Sequence, residues 1–260
     1  MIILKPKAGL CNRMRAVSSV EFLANKYNKK VLVLWNMDSG LNCRFDTLFE
    51  KIPNVYVFNY RLKFDFISRF VQLVVKNKFI NARIRQKAEI EEAVKSKKIV
   101  YISTFSNVYE ENCFKKLIIV PEIQSKIDSV LSKVQTDLVG IHIRRTDHVR
   151  AIENSPTELF VKEISKEIEE LPDTRFFLAT DSFEEEKHLK EIFGDRIITN
   201  PSRELSRNSS QGIVDALVDL GCLNKCRKII GSSWSSFSWT ASIWNYKKTL
   251  ITIDRSVNPE

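Results

Sequence analysis

The sequence lacks the features of several protein classes. No stretch approaches the roughly 18 apolar residues of a transmembrane helix, and the short start MIIL is not typical of a signal peptide. The five cysteines are odd in number and contain no C-x-x-C, so we expect no disulfide framework. These absences favour a cytoplasmic protein, with peripheral membrane association as the alternative.

Motifs that bind metal ions or cofactors are also missing. The sequence contains no D-x-D, and its three histidines lack the spacing of metal ligands. The first strand is followed neither by G-x-G-x-x-G nor by a P-loop. We therefore expect no bound metal and no cofactor.

The charge that is present is mostly positive. Lys and Arg number 41 against 32 Asp and Glu, which gives a net charge of +9 and favours anionic partners. Residues 61–87 hold eight of these basic residues and one acid, interleaved with apolar side chains. A solvated helix with an apolar core face is the preferred interpretation of this stretch. A basic surface that meets an anionic membrane or acceptor is the alternative.

The apolar pattern predicts an α/β fold. MIIL and VLVLW are short strand patterns that flank a segment with helical spacing, so the chain begins with a β-α-β unit. From Pro121 onward, LVGIHI, RFFLAT, RIIT, KIIGSS and TLITI alternate with helical patterns. This alternation predicts a doubly wound parallel sheet and a domain boundary near Pro121, between domains 1–120 and 121–260.

Three of these strands end in polar residues, in HIRRTD, ATDS and GSSWSSFS. Ligands of open parallel sheets bind at the carboxyl ends of the strands. The adjacent Arg144 and Arg145 indicate an anion such as a phosphate, because two guanidiniums otherwise repel each other. A Ser-rich helix start offers free N–H groups to the same anion, although such serines are commonly only helix caps. We predict a diphosphate site at this edge, with Asp181 beside it.

Two further candidates lie outside the strand ends. AGLCNRMRA places Asn12 between a strand and a helix, where it either faces the arginines across a cleft or caps the helix. Glu153 follows the arginines within a predicted short loop and is a candidate general base. His148 is the rival base, and a surface charge is the alternative role for Glu153.

Four segments carry a resemblance to a known family. HIRRTD resembles the H-x-R-R-x-D motif of the fucosyltransferase superfamily, which includes α1,2-, α1,6- and protein O-fucosyltransferases. GLCNRMRA is similar to its N-terminal G-x-G-N-R/Q loop, and FFLATDS to its strand ending in T-D-S. ALVDLGCLNKCRKIIGSSWSSFSW resembles its last motif, although GSSWSSFSW is two residues longer than the usual bacterial α1,2 pattern. Residues 36–120 match no motif of the family.

The resemblance implies a GT-B fold, with two Rossmann-like domains whose parallel sheets face each other across a cleft. It implies an acceptor-side domain over 1–120 and a nucleotide-sugar-binding domain over 121–260. It also implies GDP-fucose as donor substrate, a glycan as acceptor, inversion at the anomeric carbon, and no metal requirement.

The resemblance further implies roles for single residues. Arg144 binds the β-phosphate with Arg145 supporting it, and Glu153 falls within one residue of the base position of the α1,6 members. The guanine is expected near His142 and Asp219, with Asp215 as second choice for the latter. The remaining expected contacts to the diphosphate come from Ser235 and Ser236.

Two other functions remain open from the sequence. One is a transferase with a different nucleotide donor, either another nucleotide sugar or a sulfate donor. The other is a non-catalytic protein that binds nucleic acid or an anionic glycan through its positive charge. No aromatic and basic RNA motif occurs, so nucleic acid is not an expected partner.

Overall fold

The computed structural model describes residues 1–61, 79–81, 87–109, 114–132, 138–201, 203–244 and 248–256. It divides into two compact units. The first comprises Met1–Val120 with Ser206–Val214, and the second comprises Pro121–Leu205 with Asp215–Glu260. None of the helices in these described ranges is both long enough and apolar enough to cross a bilayer.

The first unit is built on a parallel sheet of five strands in the order β3-β2-β1-β5-β4. Its elements in chain order are β1 (Ile2–Pro6), α1 (Leu10–Lys26), β2 (Val31–Asn36), β3 (Val55–Tyr60), β4 (Phe79–Asn81), α2 (Lys87–Ser96) and β5 (Val100–Thr104). The central strand β1 pairs in parallel with both β2 and β5, and its pairing with β2 forms the predicted β-α-β unit.

The second unit contains another parallel sheet of five strands, in the order β10-β9-β6-β7-β8. Its elements in chain order are α3 (Pro121–Leu131), β6 (Leu138–Ile143), α4 (Val149–Asn154), α5 (Thr157–Glu170), β7 (Arg175–Thr180), α6 (Phe183–Phe193), β8 (Ile197–Ile198), α7 (Ser210–Lys225), β9 (Lys228–Ser232), α8 (Ser236–Ile243) and β10 (Thr249–Ile253). The helix α7 begins within the segment assigned to the first unit.

Strand β6 lies at the centre of this second sheet and is buried along its whole length. A strand covered on both faces is apolar throughout instead of alternating, which explains the run LVGIHI. Its residue His142 lies opposite Ala179 of β7 and Gly231 of β9, so the three strands end together at one edge. The two sides of β6 thus bring three loops to the same place.

Two glycines let helices pack closely on this sheet. A Cβ built on Gly140 of β6 would lie 2.9 Å from the side chain of Leu223 in α7. A Cβ on Gly231 of β9 would lie 2.4 Å from the Cβ of Ser238 in α8. The glycine in β9 therefore sets how near α8 comes to the edge where the strands end.

The predicted α/β fold with parallel sheets is confirmed, whereas the predicted loop around Glu153 and the alternative role of Asn12 as a helix cap are wrong. Helix α1 begins at Leu10 after Gly9, so Asn12 lies inside the helix and does not cap it. Glu153 lies in helix α4 and not in a loop. A helix of six residues is too short to show periodicity, and its N-cap is His148, which is not a usual capping residue. Most of the basic stretch 61–87 lies outside the described residues.

Candidate functional site at the carboxyl edge of the second sheet

The loop after β6 is tied to both neighbouring strands. The backbone N–H of Arg144 donates to Ser232 Oγ at 3.1 Å, at the end of β9. The N–H of Arg145 donates to Asp181 Oδ1 at 2.6 Å, and Thr146 Oγ1 donates to Asp181 Oδ2 at 2.6 Å. The structure thus brings the arginine, aspartate and serine motifs together. Asp181 uses both carboxylate oxygens to hold this loop, so its geometry fits a positioning role better than the predicted ligand contact.

The guanidinium of Arg145 is fully engaged within the protein. It donates to both carboxylate oxygens of Glu185, at 3.0 and 3.2 Å. It also donates to Thr157 Oγ1 at 3.0 Å, to the carbonyl of Ser155 at 3.0 Å and to that of Arg144 at 3.1 Å. These bonds occupy all of its donors. The prediction that Arg145 supports Arg144 at the phosphate stays a prediction, and the geometry favours an indirect role because the side chain is anchored to α5 and α6.

Arg144 differs from its neighbour in the state of its side chain. One terminal nitrogen donates to Asp147, while the buried Nε has no hydrogen-bond partner among the described residues. The side chain is 19% exposed, so part of it is open to solvent. A guanidinium with an unused buried donor is suited to bind an anion, because an unpaired buried donor is otherwise unfavourable.

His142, two residues before Arg144, lies in β6, and its side chain packs against α8. Its ring stacks on Phe237, with centroids 4.8 Å apart and planes 24° apart. Burial, and secondly the charge of Arg144, lower the pKa of His142 to about 3, so the ring is neutral at neutral pH. Its Nδ1 is buried and finds no partner within the described part of the chain. This atom is a second polar group at the edge that a ligand could satisfy.

The serine motif forms the start of α8. Ser235 is the N-cap, and its Oγ accepts from the N–H of Phe237 at 3.2 Å. Ser236 is the first helical residue and is half-buried. Ser235 therefore has the capping role that the sequence left open, and the free N–H groups of the first turn remain available to an anion.

A second cluster surrounds Asp219 on α7. Asp219 is buried, and its Oδ2 lies 3.8 Å from Arg203 Nε. Burial raises the pKa of Asp219 to about 7, against the opposing effect of Arg203. Its Oδ1 is unpartnered in the described ranges, whereas Asp215 accepts from the N–H of Glu204 at 2.9 Å. The predicted preference for Asp219 over Asp215 stays a prediction, and the geometry favours it because Asp219 keeps a free oxygen.

Two functional neighbours were missed in the sequence. Arg203 donates to Glu186 and, at 2.9 Å, to the carbonyl of Asn200, but it lies in an irregular polar segment where nothing marks it. Glu185, the partner of Arg145, does carry a signal. The spacing S-x-x-E from Ser182 is that of a capping box, and Ser182 Oγ accepts from the N–H of Glu185 at 3.2 Å. The consecutive residues Glu185 and Glu186 of α6 thus bind Arg145 and Arg203, respectively.

The candidate bases differ in their surroundings. The side chain of Glu153 is exposed and makes no hydrogen bond or ion pair to another described residue. His148 Nδ1 accepts from the N–H of Ala151 at 3.2 Å and is therefore occupied as a cap. Asn12 belongs to the first unit, where its side chain accepts from Arg15. Of the two rival bases, Glu153 is the one whose side chain is available.

The side chains in the described ranges include no group of three or more His, Cys, Asp or Glu that could hold a metal ion. The charged groups at the edge are instead the guanidinium of Arg144 and the carboxylates around it.

Comparison with known proteins gives matches in fold. No protein-family model and no curated protein matches the chain. The structure of the α1,6-fucosyltransferase NodZ soaked with GDP-fucose matches with a TM-score of 0.63 at 16% identity, over 94% of this chain and 92% of that one. NodZ from Bradyrhizobium gives 0.61 at 16% identity over 92% of each chain. POFUT1 in complex with GDP gives 0.59 at 11% identity over 97% of each.

These similarities show that the chain has the GT-B fold of the fucosyltransferase structures, with two Rossmann-like units. The resemblance drawn from the sequence motifs is therefore confirmed at the level of the fold.

Proposed function

We propose that this protein is a glycosyltransferase that transfers fucose from GDP-fucose to a hydroxyl group of a glycan. The observation that carries the proposal is the state of Arg144. Its guanidinium is partly open and has an unused buried donor, at the strand edge where α8 also begins. A diphosphate supplies the acceptors that both elements lack. The solved structures with this fold include complexes of NodZ and POFUT1 with GDP or GDP-fucose.

Asp219 and His142 are the proposed guanine contacts. Guanine presents two adjacent donors, N1–H and N2–H, that match one carboxylate, whereas uracil and adenine do not present this pair. The unpartnered Oδ1 of Asp219 is available for one of them. Neutral His142 offers its Nδ1 or backbone without placing a further positive charge beside Arg144.

The proposed reaction is a single displacement. The acceptor oxygen forms a bond to C1 of the fucose while the bond from C1 to the β-phosphate oxygen breaks, so the anomeric configuration inverts. The acceptor proton passes to the carboxylate of Glu153, and the electron pair of the broken bond leaves with GDP. Asn12, on the first unit, is the proposed contributor from the acceptor side.

We infer that the leaving diphosphate is stabilised by Arg144 and the N-terminus of α8 in place of a metal ion. Loss of one such charge-assisted contact lowers a rate by about a hundredfold, roughly 3 kcal/mol. Transfer is accordingly expected to persist in EDTA.

The test is a comparison of nucleotides. GDP should raise the unfolding temperature more than UDP or ADP at equal concentration, because only a ligand that binds the folded state stabilises it. Equal shifts, or a preference for UDP, would leave a transferase with another nucleotide donor. Loss of all binding above about 150 mM salt, with affinity for nucleic acid at low salt, would favour the non-catalytic alternative.

A further inference from the structure

One side chain at the same edge has no part in the proposed donor site. Trp234 lies between β9 and α8, is 61% exposed and has a φ of +56°. A bulky L-residue rarely adopts this left-handed backbone conformation, which persists only where the surroundings fix it. The large aromatic ring of Trp234 is thus exposed to solvent on a backbone in a strained conformation.

The residues on both sides of Trp234 account for its position. The N–H of Ser233 donates to Ile253 O at 3.2 Å and to Ser155 Oγ at 2.9 Å. Ser155 Oγ in turn donates to the carbonyl of Ile253 at 2.6 Å. On the other side, Ser235 is fixed as the cap of α8. The residues on both sides of Trp234 are therefore held by hydrogen bonds, which fixes the point from which the indole projects.

A cation covers part of the indole. The guanidinium carbon of Arg150 lies 5.4 Å from the ring centroid of Trp234, within the range of a cation–π contact. Arg150 is in α4, three residues before Glu153, and residues at this spacing share a helix face. The aromatic ring thus lies beside the face that carries the proposed base, and two residues before Ser236 of the proposed phosphate site.

We propose that Trp234 and Arg150 form an acceptor subsite that binds a neutral pyranose ring of an oligosaccharide. The C–H groups on one side of a pyranose form an apolar face that stacks on an indole, while the guanidinium donates to the ring hydroxyls. Sites of this kind combine an aromatic wall with few polar groups that fix orientation. This inference rests on the proposed function and extends it to the recognition of the acceptor.

The experiment uses Trp234→Ala, Trp234→Phe and a control, Leu171→Ala. Leu171 is also exposed and apolar. It lies between α5 and the N-terminal end of β7, whereas the proposed site lies at the carboxyl ends of the strands. Alanine retains the strain of a left-handed L-residue, so the comparison removes the ring and not the backbone conformation. Binding of the neutral trisaccharides maltotriose, mannotriose and N,N′,N″-triacetylchitotriose is measured by calorimetry with and without GDP, and GDP binding is measured separately.

Trp234→Ala is expected to weaken binding of the preferred trisaccharide, or raise its KM, by about tenfold or more, while GDP affinity is unchanged. Trp234→Phe should restore most of the binding, and Leu171→Ala should match wild type. If GDP binds but no trisaccharide binds, or the binding survives in Trp234→Ala, the subsite is wrong and the proposed function stands. If GDP fails to bind, the proposed function is wrong. Trisaccharide binding that depends on Trp234 would then still support the sugar site, and absence of such binding would overturn both.

Discussion

The guanidinium of Arg145 lies against the carboxylate of Glu185, with its Nε and Nη2 3.0 and 3.2 Å from the two oxygens. Its neighbour Arg144 keeps a buried Nε without a partner in the described structure. The two adjacent arginines thus differ in their surroundings: Arg145 holds the loop, whereas Arg144 keeps a donor for the proposed phosphate contact.

Alanine substitutions separate the two tasks. Arg145→Ala leaves the carboxylate of Glu185 largely buried without its cation, so it should lower the free energy of unfolding by about 2–4 kcal/mol. Arg144→Ala should change stability by less than about 1 kcal/mol, because its pair with Asp147 is partly exposed, but should weaken GDP binding at least tenfold. Urea unfolding and GDP titration of both variants measure this. Equal effects of the two variants on stability and binding would contradict it.

The buried carboxyl of Asp219 should make stability and binding depend on pH in opposite directions. Burial raises its pKa from 3.8 to about 7, so the folded state holds more protons than the unfolded state between these values. Stability contributed by this group therefore falls as the pH rises from about 4 to about 7, and the loss is complete above that. Proposed guanine binding needs the ionised form, so GDP affinity should rise over pH 6–8.

Asp219→Asn tests both statements, because the amide does not ionise. The variant should unfold at a higher temperature than wild type at pH 8, and the difference should shrink towards pH 5. Its GDP affinity should be lower and nearly independent of pH. A wild-type GDP affinity that is flat over pH 6–8 would remove Asp219 from the guanine site.

Glu153→Gln should separate binding from chemistry. The amide keeps the shape but accepts no proton, so kcat should fall by about 10²–10⁴ while GDP affinity is retained. Glu169→Gln is the matched control. Glu169 is another exposed glutamate, and it lies near the C-terminal end of α5, away from α4. Near-normal turnover of Glu153→Gln in a fucose-transfer assay would make Glu153 a surface charge, with Asp147 or His148 as the next candidates.

Gly231→Ala should act on the site through the position of α8. The added Cβ would lie 2.4 Å from Ser238 Cβ, so α8 has to move away from β9, at a cost of about 1–3 kcal/mol in stability. GDP affinity should fall as well, because the first turn of α8 moves with the helix. Gly140→Ala is the control on the same sheet, where the close atom is the flexible side chain of Leu223. It should lower stability without changing GDP affinity, as measured by the same titration.

Much of the second unit could be predicted because short sequence patterns mark its strands. Buried parallel strands are continuous apolar runs, and the rule for strand ends then brings Arg144, Asp181 and the serines together without further information. The partner of Arg145 could not be assigned in this way. Whether an arginine is anchored or free depends on contacts such as Glu185, 40 residues away in the chain. The exposure of Trp234 was equally hidden, since its backbone conformation is imposed by the surroundings and not by its own preference.

The bond between Ser155 Oγ and the carbonyl of Ile253 joins residues 98 positions apart, and the N–H of Arg255 donates to Asn154 O beside it at 2.7 Å. Both bonds attach the helix that carries Glu153 to the end of β10. Contacts between distant segments form late in folding, since a long loop has to close first. When the arginine motif of a nascent chain has left the ribosome, β10 has not yet been released. The attachment of α4 to β10 therefore forms only after β10 has also emerged. Nucleotide binding by stalled nascent chains of increasing length would show at which chain length the proposed donor site forms.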